Sequence, residues 1–362
     1  MMNIGILAQK PEKNIDGINR VTIELMKEIL KLDHHNHYSF IGNTDWLNVP
    51  MPYVDIIPDS RNIMKLNYVV QAQSYNTIHS HYKPFEFNSH LGCAKILTIH
   101  DLLVLKNKDK RYGPVEFFDV ALRQCAKEAD CVIADSEYTK KDIVECYGLR
   151  PDKIKVVYNG MYTINHSDES VISDEILELC HMEYMIAVST MREYKNVHGL
   201  VRAFRLFKDR HPYSDLKLVL VGKNDKSTSV GEQIKECMDG RDDIVFTGYV
   251  SDQELTFLYQ HSLASAFVSF YEGFGLPVLE SLSLGKTVIC SDQTSLPEVG
   301  GDAVEYCNPY EIESIEDAME KVILNDSRRI ALEQKACVQA QKFSYEKAAK
   351  EVVEIYHMYD GS

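Results

Sequence analysis

Short runs of apolar residues alternate along the chain with longer stretches in which apolar positions recur at helical spacing. In the first half this pattern predicts strands at Ile4–Ala8, Tyr38–Ile41, Thr77–Ser80, Ala94–Ile99, Cys131–Ala134 and Lys155–Val157. It predicts helices at Asn19–Leu32 and Pro114–Glu128, and another that Ser136 caps and that ends near Gly148. Strands that alternate with helices are typical of α/β units with a parallel sheet.

The pattern breaks between about residues 160 and 180. Asn159-Gly160 is a turn signal, and the polar, acidic stretch Asn165–Glu175 predicts a linker. A second α/β series follows, with strands at Tyr184–Ser189, Leu216–Val221, Ile244–Phe246, Ala264–Phe270 and Thr287–Ser291. Its helices are predicted at Val197–Lys208, Ser251–Tyr259, Pro277–Leu284 and, after Ser344 as a cap, Tyr345–Tyr359. We therefore predict domains over 1–165 and 180–343 and a terminal helix within 344–362.

The length and composition of the chain agree with two domains and argue against membrane-spanning, secreted and nucleic-acid-binding proteins. The 362 residues exceed what one hydrophobic core usually holds, and 45% hydrophobic with 26% charged residues is typical of a soluble protein. No apolar run has the length of a membrane span, and the first eight residues resemble a strand rather than a signal peptide. A formal net charge of −15 argues against nucleic-acid binding. Nine cysteines without a C-x-x-C pair indicate reduced thiols and a cytoplasmic location.

One basic cluster, Lys106–Arg111, stands out in this acidic chain. A solvated loop is the ordinary interpretation of such a cluster. Contact with an anionic acceptor, or peripheral contact with a membrane surface, is the alternative.

In open parallel sheets, ligands bind beyond the carboxyl ends of the strands. The loops after Ile99, Val188, Val221 and Phe270 are therefore the places in which to look for chemistry. The segment after Phe270 carries the strongest signal, since Glu272-Gly-Phe-Gly275 forms a tight loop and Pro277 suits the first turn of a helix. Glycines allow close approach of the backbone, and amide groups at a helix start attract anions, so a phosphate cradle is predicted.

Two carboxylates, Glu272 and Glu280, flank this predicted cradle. With Glu272 on the loop and Glu280 one turn inside the helix, both can face one ligand and accept hydrogen bonds from its hydroxyl groups. A helix-capping acid with a surface acid is the alternative.

This segment resembles the E-x7-E motif of the retaining glycosyltransferases of family GT4, which have the GT-B fold. Gly285-Lys-Thr-Val-Ile-Cys-Ser-Asp and Ser295-Leu-Pro-Glu-Val-Gly-Gly-Asp302 are similar to the same family. The resemblance implies two Rossmann-like domains that face a central cleft, with the terminal helix packed back on the N-terminal domain. It implies that Glu280 holds the donor ribose, that Glu272 contacts the transferred sugar, and that the backbone serves sugar and diphosphate at Gly273, Phe274, Gly275 and Leu276.

Further motifs fit the same family with some departures. Val188–Asn196 resembles its G-x-x-x-x-R-K-N pattern, in which Lys195 neutralises the leaving diphosphate; Tyr194 replaces the arginine, and Arg192 is a shifted candidate for that contact. Asp16-Gly17-Ile-Asn-Arg is similar to G-G-I-G-R and implies a backbone contact at Gly17, with a plain strand-to-helix turn as the alternative. His100-Asp101 matches a His-Asp pair that faces the transferred sugar. Backbone at Tyr249 and Val250 would contact the nucleotide base.

The resemblance predicts transfer of a hexose-type unit from a UDP- or GDP-sugar to a hydroxyl of a glycan or lipid-linked acceptor, with retention of configuration. Catalytic roles fall to His100, Lys195 and Glu272. The sequence lacks Asp-x-Asp, and no metal or other cofactor is expected. Surface polysaccharide or lipopolysaccharide synthesis at the inner face of the membrane is the expected setting. An epimerase on the same fold and a non-catalytic nucleotide-sugar-binding protein remain alternatives.

Overall fold

The computed structural model describes residues 1–7, 17–41, 54–57, 75–81, 92–106, 115–161, 169–222, 232, 234, 236 and 241–359. The chain divides into two compact units, one made of Met1–Tyr162 with Phe343–Ser362 and the other of Thr163–Lys342. Each unit is built on its own parallel β-sheet.

The sheet of the first unit has the order β3-β2-β1-β4-β5-β6-β7, and all of its neighbouring strands are parallel. These strands are β1 Asn3–Leu7, β2 His37–Ile41, β3 Val54–Ile57, β4 Thr77–His81, β5 Ala94–Ile99, β6 Cys131–Ala134 and β7 Ile154–Val156. The chain starts in the middle of the sheet, moves to one edge and returns to continue from β4 toward the other edge. The direction of winding therefore reverses between β1 and β4.

The second unit repeats this arrangement with the strand order β10-β9-β8-β11-β12-β13, again entirely parallel. Its strands are β8 Tyr184–Val188, β9 Lys217–Val221, β10 Ile244–Gly248, β11 Ala264–Phe267, β12 Thr287–Ser291 and β13 Glu305–Cys307. Here the winding reverses between β8 and β11. Both units are thus doubly wound α/β sheets.

Helices connect the strands. They are α1 Gly17–Leu32, α2 Leu103–Lys106, α3 Val115–Glu128, α4 Glu137–Tyr147, α5 Asp174–Cys180, α6 Val197–Arg210, α7 Asp252–His261, α8 Leu276–Ser283, α9 Leu296–Gly300, α10 Ile312–Ile323, α11 Asp326–Ala340 and α12 Tyr345–His357. In the described part of the chain, no helix combines the length and hydropathy that crossing a bilayer requires.

Local capping explains several of the helix ends. The Ser136 hydroxyl accepts the Thr139 amide at the start of α4, and Gly148 ends that helix with a left-handed φ of 67°. Both predictions are confirmed. Ser344 likewise caps α12 by accepting the Lys347 amide.

Each unit has its own hydrophobic core. In the first, strand residues such as Ile78 and Leu97 are fully buried, and the terminal helix α12 packs on α1. In the second, α6 packs against α10 and contributes the fully buried rings of Phe204 and Phe207. Burial of the apolar face, rather than helix propensity, stabilises these helices.

The structure corrects some sequence-based boundaries. The predicted strand Ala264–Phe270 ends at Phe267, because the next backbone groups bind the segment after β8 instead of a neighbouring strand: Phe270 N–H donates to the Tyr194 carbonyl at 2.8 Å. The predicted linker Asn165–Glu175 was wrong at its end, where Asp174 and Glu175 form the first turn of α5, since acidic residues suit a helix N-terminus. Residues 165–168 lie outside the described residues.

Candidate active site

The segment that follows β11 is tied to the segment that follows β8. The Asn196 side chain donates to the carbonyl groups of Val268 at 3.1 Å and Pro309 at 2.8 Å, and it is buried. Since β8 and β11 are neighbours at the point where the winding reverses, these contacts bring two predicted site segments together.

The contact between Lys195 and Glu272 is the centre of this site. Lys195 Nζ donates to Glu272 Oε1 at 2.7 Å and to Oε2 at 2.9 Å, while Ser269 Oγ donates to Oε1 at 2.7 Å. The two charged side chains are only 17% and 16% exposed. Screening by water is reduced in such surroundings, so this pair is stronger than an ordinary surface ion pair.

The backbone of the 272–275 loop is held by residues from the loop after β12. Glu272 N–H donates to Thr294 Oγ1 at 3.1 Å, and the fully buried Ser295 Oγ lies 2.9 Å from the carbonyl oxygens of both Glu272 and Phe274. Thr294 itself has a φ of 58°, an uncommon conformation for a β-branched residue. Such strain is often found at functional sites.

Gly275 makes the turn from this loop into α8. Its φ is 118°, which L-residues rarely adopt, and a Cβ there would lie 2.7 Å from Leu296 Cδ2. Helix α8 begins at Leu276, with Pro277 in its first turn. A cavity beside this turn is lined by Ser189, Lys195, Glu272, Gly275 and Pro277, among others. The positive end of the α8 dipole and the Lys195 ammonium group therefore meet at one cavity.

Glu280 does not line this cavity. It lies in α8, is 8% exposed, and its Oε2 is 3.5 Å from the hydroxyl of Tyr259. The predicted contact of Glu280 with the donor ribose stays a prediction.

The remaining predicted residues of the second unit lie around this centre. Arg192 is half-buried, precedes the short 3-10 turn that contains Lys195, and does not line the cavity. Gly273 is half-buried and Phe274 buried. Tyr249 is 70% exposed and Val250 half-buried, in the turn between β10 and α7.

In the first unit, His100 lies immediately after β5 and is 5% exposed. Its Nδ1 is 2.7 Å from Asp135 Oδ2, an oxygen that also accepts a hydrogen bond from Asn159 Nδ2 at 2.8 Å. A carboxylate partner fixes the tautomer in which the proton is on Nδ1. His100 is therefore held in one orientation beside a pocket lined by both it and Asp135.

Two other predicted contacts fall at the edge of the described residues. Gly17 is the first residue of α1, whereas Asp16 and the turn before it lie outside the described residues. In the basic cluster only Lys106 is described, and its Nζ is 2.8 Å from the buried Asp142. Burial of that carboxylate in an ion pair gives Lys106 a structural contact.

Two family models match adjoining parts of the chain. The model described as glycosyltransferase family 4 matches residues 15–163, and the model described as glycosyl transferases group 1 matches residues 178–339. Together they span nearly all of both units. The chain belongs to the GT4 family of glycosyltransferases.

One curated relative matches over the full length of the chain, and two others match over part of it. The O-antigen chain mannosyltransferase B of Escherichia coli is 27% identical over 98% of this chain and 99% of that protein. The O-antigen chain mannosyltransferase RfbU of Salmonella typhimurium is 26% identical over 62% of this chain and 60% of that one. The D-inositol 3-phosphate glycosyltransferase of Corynebacterium aurimucosum is 25% identical over 78% and 71%, respectively.

Solved structures agree on the fold. The Anabaena protein HepE, in complex with UDP and glucose, has a TM-score of 0.76 at 18% identity and covers 99% of this chain and 100% of its own. Sucrose-phosphate synthase from Thermosynechococcus elongatus has a TM-score of 0.75 at 18% identity, with full coverage of both chains. The predicted GT-B class of this GT4 chain is confirmed.

Sequence reasoning on this GT4 chain missed the residues that hold the predicted ones in place. Asp135 carried a usable signal, since an acid directly after a buried strand of a parallel sheet lies at its functional edge. Ser269 and Thr294 carried no signal that spacing alone reveals, because their partners are set by the fold. Ser295 begins a family-like motif, but the motif did not indicate which groups its hydroxyl contacts.

Proposed function

We propose that this GT4 chain is a retaining, metal-independent glycosyltransferase that moves a mannosyl unit from a nucleoside-diphosphate sugar to a hydroxyl of a glycan or lipid-linked acceptor. The proposal is supported above all by the Lys195–Glu272 pair beside the N-terminus of α8. The full-length similarity to an O-antigen chain mannosyltransferase supports mannose as the sugar and surface polysaccharide as the product.

The two members of the pair can bind two different parts of a sugar nucleotide, Lys195 the diphosphate and Glu272 the sugar. When a diphosphate enters, Lys195 turns from the carboxylate to the phosphate oxygens, and the α8 dipole adds to its effect. Glu272 then accepts hydrogen bonds from hydroxyls of the transferred sugar, with Ser269 keeping its carboxylate in place. These groups stabilise the charge that develops on the leaving diphosphate, which a divalent cation does in other transferases.

The reaction that we propose is attack on the same face that the diphosphate leaves. The bond between the sugar C1 and the diphosphate oxygen breaks, the acceptor oxygen bonds to C1 on that face, and the diphosphate oxygen takes the acceptor proton. His100, with its proton on Nδ1 fixed by Asp135, would accept one hydrogen bond at Nε2 from a sugar hydroxyl. Exclusion of water favours transfer over hydrolysis.

The first candidate donor is GDP-mannose, and the second is a UDP-sugar. The structural similarity to HepE in complex with UDP and glucose favours it, although at 18% identity that similarity concerns the fold. A cytoplasmic site of action, with peripheral contact to the membrane, stays a prediction from the sequence.

The test begins with a thermal-shift screen against GDP-mannose, UDP-glucose, UDP-N-acetylglucosamine, ADP-glucose and CMP-sialic acid, each with and without EDTA. A ligand that binds the native state raises the melting temperature by mass action. We expect GDP-mannose to give the largest shift, and the shift to survive EDTA. Loss of the shift in EDTA would contradict metal independence, and a shift with UDP-sugars alone would replace the donor.

Product analysis tests the reaction itself. NMR of the product made with mannose-terminated acceptors should show the anomeric configuration of the donor sugar. An inverted product would contradict retention. Release of an altered free sugar without acceptor would identify an epimerase, and donor binding without any turnover would indicate a non-catalytic binding protein.

A further inference from the structure

His81 is a buried histidine whose ring nitrogens lack partners. It ends β4, is 8% exposed, and neither Nδ1 nor Nε2 has a hydrogen-bond partner in the described chain. Buried polar groups in proteins are nearly always paired. A histidine left in this state calls for a reason beyond packing.

The two histidines that neighbour His81 each have a hydrogen-bond partner, whereas Thr77 Oγ1 on the same strand has none among the described residues. His79, two residues earlier in β4, has its Nδ1 2.7 Å from the Tyr356 hydroxyl and its Nε2 2.7 Å from Thr98 Oγ1. His100 is paired with Asp135. Of these three described histidines, His81 is therefore the one in which neither ring nitrogen has a hydrogen-bond partner.

The ring of His81 lies between those of its two neighbours. Its ring centroid is 4.2 Å from that of His79 and 6.3 Å from that of His100, and the ring planes of His81 and His100 are 26° apart. Burial, together with these neighbouring rings, lowers the pKa of His81 well below its ordinary value. A neutral imidazole has one donor and one acceptor nitrogen, and a sugar hydroxyl can serve as partner to either.

His81 also occupies the position in its sheet where ligands are expected. In the second unit the Lys195–Glu272 site follows β8 and β11, the strands between which the winding reverses. In the first unit the corresponding strands are β1 and β4, and His81 is the last residue of β4. It lines the same pocket as His100 and Asp135.

We propose that His81 is an acceptor-binding residue, whose ring hydrogen-bonds a hydroxyl of the acceptor glycan in the pocket that it shares with His100. The proposal rests on the proposed transferase function. His100 serves the transferred sugar in that function, and the adjacent His81 serves the sugar that receives it.

The first experiment reads the ring directly and needs no turnover. Wild-type protein labelled with ¹⁵N-histidine is titrated with mannobiose, and the His81 ring signals are assigned by their loss in the His81→Phe variant. We expect the His81 nitrogen signals to move while those of the exposed His34 stay in place. Unmoved His81 signals at saturating or millimolar mannobiose would overturn the proposal.

The second experiment uses the same variant. Phenylalanine keeps a ring between the two histidines and removes both nitrogens, so we expect the melting temperature to rise by a few degrees, since an unpaired buried polar group is lost. The acceptor KM should increase about 3- to 10-fold with GDP-mannose affinity unchanged, as for the loss of one hydrogen bond. A purely structural histidine would instead give a less stable variant with normal kinetics.

The matched control is His34→Phe, which changes an exposed histidine of the same unit and should alter neither quantity. An unchanged acceptor KM in His81→Phe overturns the proposal, and an equal loss of donor affinity reassigns the residue to the donor. If wild-type protein binds no sugar nucleotide, the proposed function fails, and the ¹⁵N titration still decides whether His81 contacts a sugar.

Discussion

Replacing Lys195 by methionine separates its two tasks, pairing with Glu272 and, as proposed, meeting the diphosphate of the donor. Methionine keeps an unbranched side chain that is one heavy atom shorter, and it removes the charge. The change leaves the Glu272 carboxylate 16% exposed with Ser269 as its remaining described side-chain donor. An unpaired carboxylate in such a place is costly, so the variant should be less stable.

The size of that loss follows from the exposure of the pair. Breaking a fully buried ion pair costs about 3–5 kcal/mol and losing a surface pair about 0–1 kcal/mol. At 17% and 16% exposure, we expect Lys195→Met to lower the free energy of unfolding by about 1–3 kcal/mol. Urea denaturation measures it. Lys335→Met is the matched control, because Lys335 and Asp302 form a similar contact at 2.9 Å with 49% and 77% exposure, and water screens such an exposed pair, so its effect on stability should be much smaller.

A double-mutant cycle with Glu272→Gln isolates the pair. Glutamine is uncharged, so the double variant no longer buries a lone carboxylate and should recover at least about 1 kcal/mol of stability relative to the sum of the single changes. Transfer activity should not recover. Each Lys195→Met variant should lose about 10²- to 10³-fold in kcat, because the charge on the leaving diphosphate is then unopposed.

Two results would refute this reasoning. A coupling energy indistinguishable from zero would mean that the Lys195–Glu272 contact contributes nothing to the fold. Near-normal kcat in a folded Lys195→Met variant would remove Lys195 from the diphosphate, whatever the stability data show.

Three further outcomes are expected. Ser295→Ala removes the hydroxyl that lies near two loop carbonyls, and it should lower kcat/KM about 10-fold. Ser295→Thr keeps a hydroxyl and should retain part of that kcat/KM, so equal activity of both variants would contradict this positioning role. Gly275→Ala forces a side chain into a φ of 118° and should cost about 1–3 kcal/mol in urea denaturation, whereas Gly92→Ala, with open space around it, should be nearly neutral. Burial lowers the pKa of His79 to about 3 and that of His81 well below its ordinary value. Below about pH 6.5 the unfolded chain therefore binds protons that the folded chain does not, and the free energy of unfolding should fall by about 1 kcal/mol per pH unit for each histidine between pH 6 and 5. Urea denaturation at several pH values measures this, and a free energy of unfolding that does not change with pH, or whose pH dependence is the same in His81→Phe, would refute the prediction.

The regular part of the fold was accessible from hydrophobic periodicity. Strands such as Ala94–Ile99 and Thr287–Ser291 were predicted to the residue, because buried parallel strands are continuous apolar runs with sharp ends. The edge strands Val54–Ile57 and Glu305–Cys307 were missed. The second contains a charged residue and is only three residues long, so it offers no periodic pattern to detect.

The helices α10 and α11 were also missed. In α10 the apolar residues, among them Ile315, Met319 and Val322, recur at helical spacing, so this helix was detectable from the sequence. In α11 the apolar positions, such as Leu332, are fewer and are spread among charged residues, so the periodic pattern is weak.

In the candidate site, too, the sequence indicated which residues belong there but not which groups they contact. The E-x7-E pattern singled out Glu272 and Glu280, but it did not indicate that Glu272 binds Lys195 or that Glu280 lies by Tyr259 in the second unit. A motif records which residue types a reaction requires near one another when substrate is bound. It does not record how those charges are satisfied before the substrate arrives, and Glu272 must be satisfied because it is mostly buried. The Lys195–Glu272 pair meets that requirement in the second unit. In the proposed function, the hydroxyls and the diphosphate of the donor replace each charged partner, so that donor binding exchanges one set of charge-assisted hydrogen bonds for another. On that proposal the net free energy gained from donor binding is modest, and the stability cost and the catalytic cost of Lys195→Met are two separable quantities.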